Sequence, residues 1–266
     1  MNSYIPENIR KFISDKAYKT DTTGISQSEV IIFGDMVLKT EIYTSDTDST
    51  IQMIKWLQNR LPVPEIICHE VCEDKSYTLM SRVKGRMSCD VYHMEQAEET
   101  VALLAEGLKM LWSADISDCP RTLTFADDLK TARYHVENDM IDMQATDYNL
   151  LKENGFNDVS QLLPWLEKNV PENDMVLSHG DYCMPNVLIE DGKISGFIDL
   201  GECAVSDRWK DIAMCYISLK NNFSGYFGGK VYKDFNPNIL FEKLGIEIDA
   251  DKLKYYILLN ELFKTK

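Results

Sequence analysis

Residues 1–83 contain short segments in which apolar and polar positions alternate with the period of a half-buried β-strand. Apolar residues spaced by three and four positions predict a helix over residues 6–14, and a second helix is predicted over residues 51–61. The predicted strands span residues 29–33, 36–40, 65–72 and 77–83. We therefore expect an N-terminal lobe of about five strands and a helix.

Beyond residue 83, the apolar positions recur with the period of an α-helix. Val101, Leu104, Leu108 and Leu111 mark one face of a long amphipathic helix. Further helices are predicted over residues 125–143, 159–169, 207–221, 238–244 and 251–263. The change of pattern predicts an α+β, bilobal chain, with an N-terminal lobe of residues 1–83 and a larger, mostly helical lobe of residues 84–266.

Within the helical part, one segment has the pattern of a β-hairpin. Residues 187–190 and 193–198 are mostly apolar and are separated only by Asp191 and Gly192. An Asp-Gly pair between two apolar runs is a strong signal for a two-residue hairpin turn.

Counting back from this turn sets the register of the two strands. Val187 falls opposite Gly196, and Asn186 falls opposite Phe197. Asp199 then lies diagonally across from Asn186, on the same face of the hairpin. Diagonal cross-strand neighbours are roughly 7–8 Å apart at the backbone. Because an amide oxygen and a carboxylate oxygen can then reach one cation, this register predicts a metal site.

Asp181 lies upstream of the hairpin, in a loop bounded by Gly180 and Pro185. Its carboxylate is expected near the metal pair without belonging to it, which is the place for a base or an aligning group. Taken singly, Asp181, Asn186 and Asp199 are more often residues that cap or satisfy a turn. Their combination favours Mg²⁺-dependent phosphoryl transfer, which needs a carboxylate beside the acceptor hydroxyl and oxygen ligands for the metal.

The same residues carry a family resemblance. His179-Gly180-Asp181 with Asn186, followed by residues 196–201 and 207–213, resembles the catalytic block of the aminoglycoside 3'-phosphotransferases. The resemblance implies a fold similar to the protein kinases, with ATP or GTP bound between the two lobes.

The resemblance also implies roles for single residues. Asp181 matches the catalytic aspartate, and Asn186 and Asp199 match the Mg²⁺ ligands. His179 and Asp211 match residues that brace the catalytic loop.

In the N-terminal lobe, Lys39 matches the lysine that binds the nucleotide phosphates, and Ser26 would lie in the loop that covers them. Ser81 and Val83 match the hinge, where backbone groups bond the adenine edge. No GxGxxG motif is present, so the phosphate loop carries little sequence signal.

Two departures from the family bear on these roles. Thr50 stands where a glutamate usually pairs with the phosphate-binding lysine, and Asp48, Asp46 or Glu41 are the candidate substitutes. Glu202 stands where the 3'-phosphotransferases carry an arginine, which reverses the charge beside the loop that contains the predicted metal ligand Asp199.

The chain end resembles the acidic family terminus that contacts the antibiotic. Asn260 replaces an aspartate there, and residues 264–266 follow the family's terminal phenylalanine. Asp142 and Asp147 are further candidates to receive amines. The predicted acceptor contacts are Glu202, Asn260, Glu261 and Phe263.

The composition of the chain limits the classes of molecule that it is expected to bind. The 266 residues carry a net charge of −15, which argues against nucleic acid and anionic membranes and favours a cationic small molecule. Seven scattered cysteines and no signal-peptide pattern predict a cytoplasmic protein with reduced thiols. A monomer or weak dimer is expected.

The expected function is therefore an ATP- and Mg²⁺-dependent kinase for an aminoglycoside, which would confer antibiotic resistance. Two alternatives stay open. One is a kinase of the same fold with another small-molecule acceptor, suggested by Glu202 and Asn260. The other is a nucleotide-binding protein that has lost transfer, suggested by Thr50.

Overall fold

The computed structural model describes residues 5–14, 16–21 and 28–266. Its N-terminal part is a five-stranded antiparallel sheet. The strands are β1 (Lys19–Asp21), β2 (Glu29–Phe33), β3 (Met36–Ile42), β4 (Ile66–Cys72) and β5 (Lys75–Ser81), and their order in the sheet is β1-β2-β3-β5-β4. Two helices accompany the sheet, α1 (Glu7–Ile13) and α2 (Ser45–Leu57).

Alternation places the apolar residues of the sheet on one side. Leu38 of β3 and Leu79 of β5 are cross-strand partners and are both buried. They pack in one apolar cluster with Ile9 of α1. Because Lys39 has the opposite side-chain direction to Leu38, it lies on the other face of this sheet.

The predicted elements of this part are confirmed, with shifted ends. β2 has the predicted bounds, and β3 continues two residues beyond residue 40, to Ile42. α2 begins at Ser45 rather than at residue 51, because Thr44 and Thr47 form a reciprocal capping box before the apolar positions begin.

Helices are the main regular structure of the remainder of the described chain. They are α3 (Val91–Met94), α4 (Ala97–Trp112), α5 (Phe125–Glu137), α6 (Tyr148–Glu153), α7 (Leu162–Lys168), α8 (Arg208–Phe223), α9 (Ile239–Leu244) and α10 (Ala250–Glu261). The long helix α4 has the predicted amphipathic face, with Val101, Leu104 and Leu108 fully buried, and it packs against α9. No helix in the described residues combines the length and the apolar character that a membrane crossing requires.

Two short strand pairs position the loops between these helices. β7 (Met175–Ser178) runs antiparallel to β10 (Ala204–Asp207), and Ser178 is paired with Ala204. This pair was not predicted from the sequence. Because the end of β7 lies beside the start of β10, the segment after Ser178 lies beside the segment before Ala204.

The second set, in the order β6-β8-β9, contains the predicted hairpin of β8 (Val187–Glu190) and β9 (Lys193–Phe197), joined to β6 (Arg86–Met87). The turn is confirmed, because Glu190 pairs with Lys193.

The predicted register is wrong beyond the first pairs of the hairpin. Val187 pairs with Phe197, not with Gly196, because a β-bulge intervenes and Ser195 has no partner opposite it. Ser195 instead donates its hydroxyl to the carbonyl of Lys84, at 2.6 Å. Asn186 therefore accepts a backbone hydrogen bond from Ile198, at 3.0 Å, and is not opposite Phe197.

Candidate active site

The loop after β7 is held by a buried carboxylate at the start of α8. The backbone N–H groups of His179 and Gly180 donate to the two oxygens of Asp211, at 2.6 and 2.9 Å. Burial raises the pKa of Asp211, while the nearby His179 and these backbone hydrogen bonds act in the opposite direction. Asp211 thus fixes the backbone immediately before Asp181.

The ring of His179 connects this loop to the segment that follows the hairpin. Its Nε2 is 3.0 Å from the carbonyl oxygen of Ile198, and its Nδ1 accepts from the N–H of Asp181 at 3.3 Å. A carbonyl oxygen can only accept, so Nε2 is the donor in the contact with Ile198. The fully buried His179 therefore ties Asp181 to the residue before Asp199.

Asp181 and Asn186 are joined directly. The amide nitrogen of Asn186 donates to the backbone oxygen of Asp181 at 3.0 Å and to its Oδ2 at 2.9 Å. This orientation turns the amide oxygen of Asn186 away from Asp181. No described residue donates a hydrogen bond to that oxygen, so it is available as a ligand.

Asp199 follows the hairpin and is exposed. Its φ of 58° lies in the left-handed region, which few residues other than glycine adopt. Burial raises the pKa of the Cys183 thiol and the charges of Asp181 and Asp199 raise it further, which indicates that both carboxylates lie close to this one side chain.

These residues fit a magnesium ion shared with nucleotide phosphates. Mg²⁺ prefers oxygen ligands and is usually held by one or two side chains together with phosphates and water. Asn186 and Asp199 offer an amide oxygen and a carboxylate. Two oxygen donors suit an ion whose remaining ligands come from phosphates and water. The part of the chain that the structure describes has no cluster of three or more His, Cys, Asp or Glu side chains arranged for a metal.

Lys39 has a carboxylate partner within its own strand. Its Nζ lies 2.8 Å from Oε2 of Glu41, and both side chains are about one-quarter exposed. Of the candidate substitutes for the family glutamate, Glu41 is therefore the one in contact. Asp48 instead accepts from the hydroxyl of Tyr43, at 2.6 Å, and Thr50 contacts the carbonyl of Gly201, at 3.5 Å.

The hinge residues follow directly from the edge of the sheet. The N–H of Ser81 donates to the carbonyl of Glu65, at 2.8 Å, so a contact of Ser81 with adenine has to use its carbonyl. In the described residues the backbone of Val83 has no hydrogen-bonded partner. Ser26 lies outside the described residues.

A cavity of about 260 Å³ opens beside Asp181. It brings together four of the predicted site residues, because Asp181, Glu202, Asn260 and Phe263 all contribute to its wall. The rest of the lining is largely apolar. The other lining residues are Gly180, Lys210, Met214, Ile217, Tyr256 and Leu259.

Lys210 is a pocket residue that the sequence analysis missed. Its Nζ lies 2.8 Å from the carboxylate of Asp128 and 6.0 Å from the centre of the Phe263 ring. Its position on the first turn of α8, one residue before the predicted brace Asp211, was the available signal.

Glu261 does not line this pocket, which differs from the predicted amine contact. Its side chain is buried, with Oε2 accepting from the N–H of Asp147 at 3.0 Å and Oε1 bound to the Lys264 ammonium at 2.7 Å. A carboxylate with both oxygens engaged inside the protein is poorly placed to receive an acceptor amine. Oδ1 of the partly buried Asp147 accepts from the backbone N–H groups of Asn149 and Leu150 and so caps α6.

The residues beyond Phe263 explain this arrangement. Thr265 forms an antiparallel bridge with Ile141, and the N–H of Lys266 donates to the carbonyl of Met140, at 2.9 Å. This pairing brings Lys264 over Glu261, where it also donates to the carbonyl of Ala145 at 3.1 Å. The ammonium of Lys264 thus neutralises the Glu261 carboxylate, which was predicted from the sequence to bind an acceptor amine.

The chain is similar in sequence to known proteins over most of its length. The phosphotransferase enzyme family matches residues 39–236. An aminoglycoside 3'-phosphotransferase of Enterococcus faecalis is 34% identical, with 97% of this chain and 98% of the relative covered. One of Staphylococcus aureus is 33% identical, with the same coverage of both chains.

Solved structures share the fold. The aminoglycoside-3'-phosphotransferase of type VIII has a TM-score of 0.77 at 22% identity, covering 96% of this chain and 97% of its own. An aminoglycoside phosphotransferase of Streptomyces rimosus, in complex with ADP and streptomycin, has a TM-score of 0.73 at 20% identity, covering 96% and 95%. These similarities confirm the predicted bilobal α+β fold.

Proposed function

This chain belongs to the aminoglycoside 3'-phosphotransferase family, and we propose that it transfers the γ-phosphate of ATP or GTP to the 3'-hydroxyl of an aminoglycoside. The observation that carries the proposal is the position of Asp181. It lines the acceptor cavity and accepts a hydrogen bond from the amide nitrogen of Asn186, whose amide oxygen would then be a ligand for Mg²⁺. Such transfer would protect a host cell from the antibiotic.

In this mechanism Asp181 accepts a hydrogen bond from the acceptor hydroxyl and directs its oxygen at the γ-phosphorus. Asn186 and Asp199 are the residues that would hold Mg²⁺. The chemistry supplied by the ion there is charge neutralisation on the phosphates. His179 and Asp211 keep Asp181 in place through the contacts described above, and so reduce the entropic cost of alignment.

On the nucleotide side, Lys39 would contact the phosphates, with Glu41 fixing its ammonium. The carbonyl of Ser81 and the N–H of Val83 would bond the adenine edge, and Ser26 would cover the phosphates. We propose that the boundary between the nucleotide-binding lobe and the catalytic lobe lies between Val83 and residue 84, two residues after β5 ends at Ser81.

On the acceptor side, Glu202 and Asn260 would receive amino and hydroxyl groups, while Phe263 supports one face of the sugar. Glu261 is left out of this set because its carboxylate is buried and bound to Lys264. The pocket thus has fewer free acidic groups than the sequence predicts.

That charge balance favours a second candidate within the same chemistry. An acceptor with one amine near Glu202 and an apolar surface over Met214, Ile217 and Leu259 would also fit the cavity. The third possibility, a protein that has lost transfer, rested on a missing partner for Lys39. Since Glu41 supplies that partner, this reason is removed.

The function is tested with a matched pair of acceptors. Purified protein, ATP and Mg²⁺ are incubated with kanamycin B or with its 3'-deoxy analogue, and products are identified by mass spectrometry and ³¹P NMR. We expect one phosphate on kanamycin B and none on the analogue. Phosphorylation of both would overturn the 3' assignment, and phosphorylation of neither, with turnover of an amphipathic amino-alcohol, would favour the second candidate.

Glu202→Gln tests the acceptor contact. We expect the KM for kanamycin B to rise about 3- to 10-fold, because an exposed carboxylate contributes roughly 1 kcal/mol to binding an amine. The kcat should stay near the wild-type value. Glu190→Gln, an exposed hairpin residue paired with Lys193, is the matched control and should change neither constant. An unchanged KM in Glu202→Gln would remove this residue from the acceptor site.

A further inference from the structure

Residues from two other segments of the chain contact the carbonyl oxygen of Gly201. Gly201 lies two residues after Asp199 and directly before Glu202. Its oxygen accepts a hydrogen bond from the guanidinium of Arg121, which belongs to the segment between α4 and α5. The hydroxyl of Thr50, on α2, lies 3.5 Å from the same oxygen.

The backbone around Arg121 is itself fixed against β10. The carbonyl of Arg121 accepts from the N–H of Val205 at 2.9 Å, and the N–H of Leu123 donates to the carbonyl of Val205 at 2.9 Å. Thr122 forms a parallel bridge with Val205. The partly buried Arg121 side chain therefore starts from a rigid position and reaches back over the loop that precedes β10.

The loop from Asp199 to Glu202 needs such support. Asp199 has a left-handed φ of 58°, a conformation that persists only where the surroundings fix it. Within the loop, one backbone hydrogen bond joins the N–H of Cys203 to the carbonyl of Leu200, at 3.2 Å. A hydrogen bond from a charged guanidinium is stronger than a neutral one, so Arg121 supplies the firmest contact to this loop.

We propose that Arg121 is a positioning residue for the metal site, because its hydrogen bond to Gly201 holds the loop in which Asp199 is aimed at Mg²⁺. This role rests on the proposed function, since it takes Asp199 as a ligand. The contact from Thr50 is longer and supports the same oxygen from the side of the sheet. Neither residue lines the cavity beside Asp181.

The test measures nucleotide binding and not transfer. The affinity of the full chain for a non-hydrolysable ATP analogue is determined by calorimetry with and without Mg²⁺, for wild type, Arg121→Met and Arg121→Lys. We expect Arg121→Met to lose about 10- to 100-fold of the Mg²⁺-dependent affinity, as is usual when a residue supporting a metal ligand is removed. Affinity without Mg²⁺ should stay within about twofold. Arg121→Lys, which keeps a charged donor, should recover most of the loss.

Two results would overturn the role. One is wild-type Mg²⁺ dependence in Arg121→Met, and the other is an equal loss with and without Mg²⁺, which would mark a purely structural residue. If Arg121→Met does not fold, Arg121→Gln, which keeps a neutral donor, is measured against the same criteria. A wild-type protein that binds nucleotide more tightly with Mg²⁺ but phosphorylates no acceptor would overturn the proposed function and leave the role of Arg121 standing. An absence of any Mg²⁺ effect in the wild type would overturn the metal site and this role together.

Discussion

Asp181→Asn is expected to lower the rate of phosphorylation about 10²- to 10⁴-fold, the range lost when a positioned acid–base group is removed. Nucleotide affinity should stay near the wild-type value. The asparagine keeps an oxygen for the amide of Asn186, so the 2.9 Å hydrogen bond between these positions can persist while the negative charge is lost. The variant thus separates the charge of Asp181 from its part in the loop structure. Asp181→Ala removes both and should abolish transfer.

Single-turnover kinetics and calorimetric nucleotide binding check this prediction. Asp191→Asn, which removes one negative charge from the tip of the hairpin that follows Asp181, should leave both quantities unchanged. Near-normal turnover in Asp181→Asn would remove Asp181 from the catalytic role.

Gly180→Ala is expected to have the second large effect. Gly180 has a φ of 83°, and a Cβ there would lie 2.3 Å from the carbonyl oxygen of Glu202. Both the left-handed backbone and the collision with a backbone atom oppose the substitution, and the conformational cost alone is about 1–3 kcal/mol. Gly180 directly precedes Asp181, and Glu202 ends the loop that begins at Asp199. We therefore expect lower thermal stability, and a kcat that falls by more than the loss of folded protein explains.

Gly201→Ala is the matched control for this change. Its φ is not in the left-handed region, and an added Cβ meets no atom within 4 Å. Thermal melts and kcat of the two alanine variants, compared under identical conditions, decide the point. If Gly180→Ala behaves like Gly201→Ala, the close approach of the catalytic loop to the metal loop is not required.

Local patterns predicted much of the fold. The alternation in β2 gave both of its ends, and the Asp191-Gly192 turn gave the hairpin, because these signals depend on neighbouring residues. The buried face of α4 could also be predicted, because apolar residues at helical spacing mark the face that packs against the rest of the protein.

Features that depend on contacts between residues distant in the sequence could not be predicted from local patterns. The bulge at Ser195 is stabilised by the carbonyl of Lys84, far away in the chain, so counting from the turn gave a wrong register. The assignment of Asn186 and Asp199 as metal ligands stays a prediction. Their two segments are adjacent in the structure, because the N–H of Ile198 donates to the carbonyl of Asn186.

The acceptor side shows the same limit. Glu261 reads in sequence as a free acid near the chain end. Its burial and its pairing with Lys264 depend on the bridge between Thr265 and Ile141, which no local pattern indicates. The acidic composition of the chain also does not reveal which carboxylates are already neutralised.

The ion pair of Lys39 and Glu41 has a consequence for control of the enzyme. In protein kinases the lysine that binds the nucleotide phosphates, the role we propose for Lys39, pairs with a glutamate on a helix, and moving that helix switches activity on and off. Here both partners stand on β3, two residues apart, so displacement of α2 leaves the pair intact. With Lys39 in the proposed role, movement of α2 would not switch activity by breaking this ion pair. We therefore expect the enzyme to be competent whenever nucleotide is present.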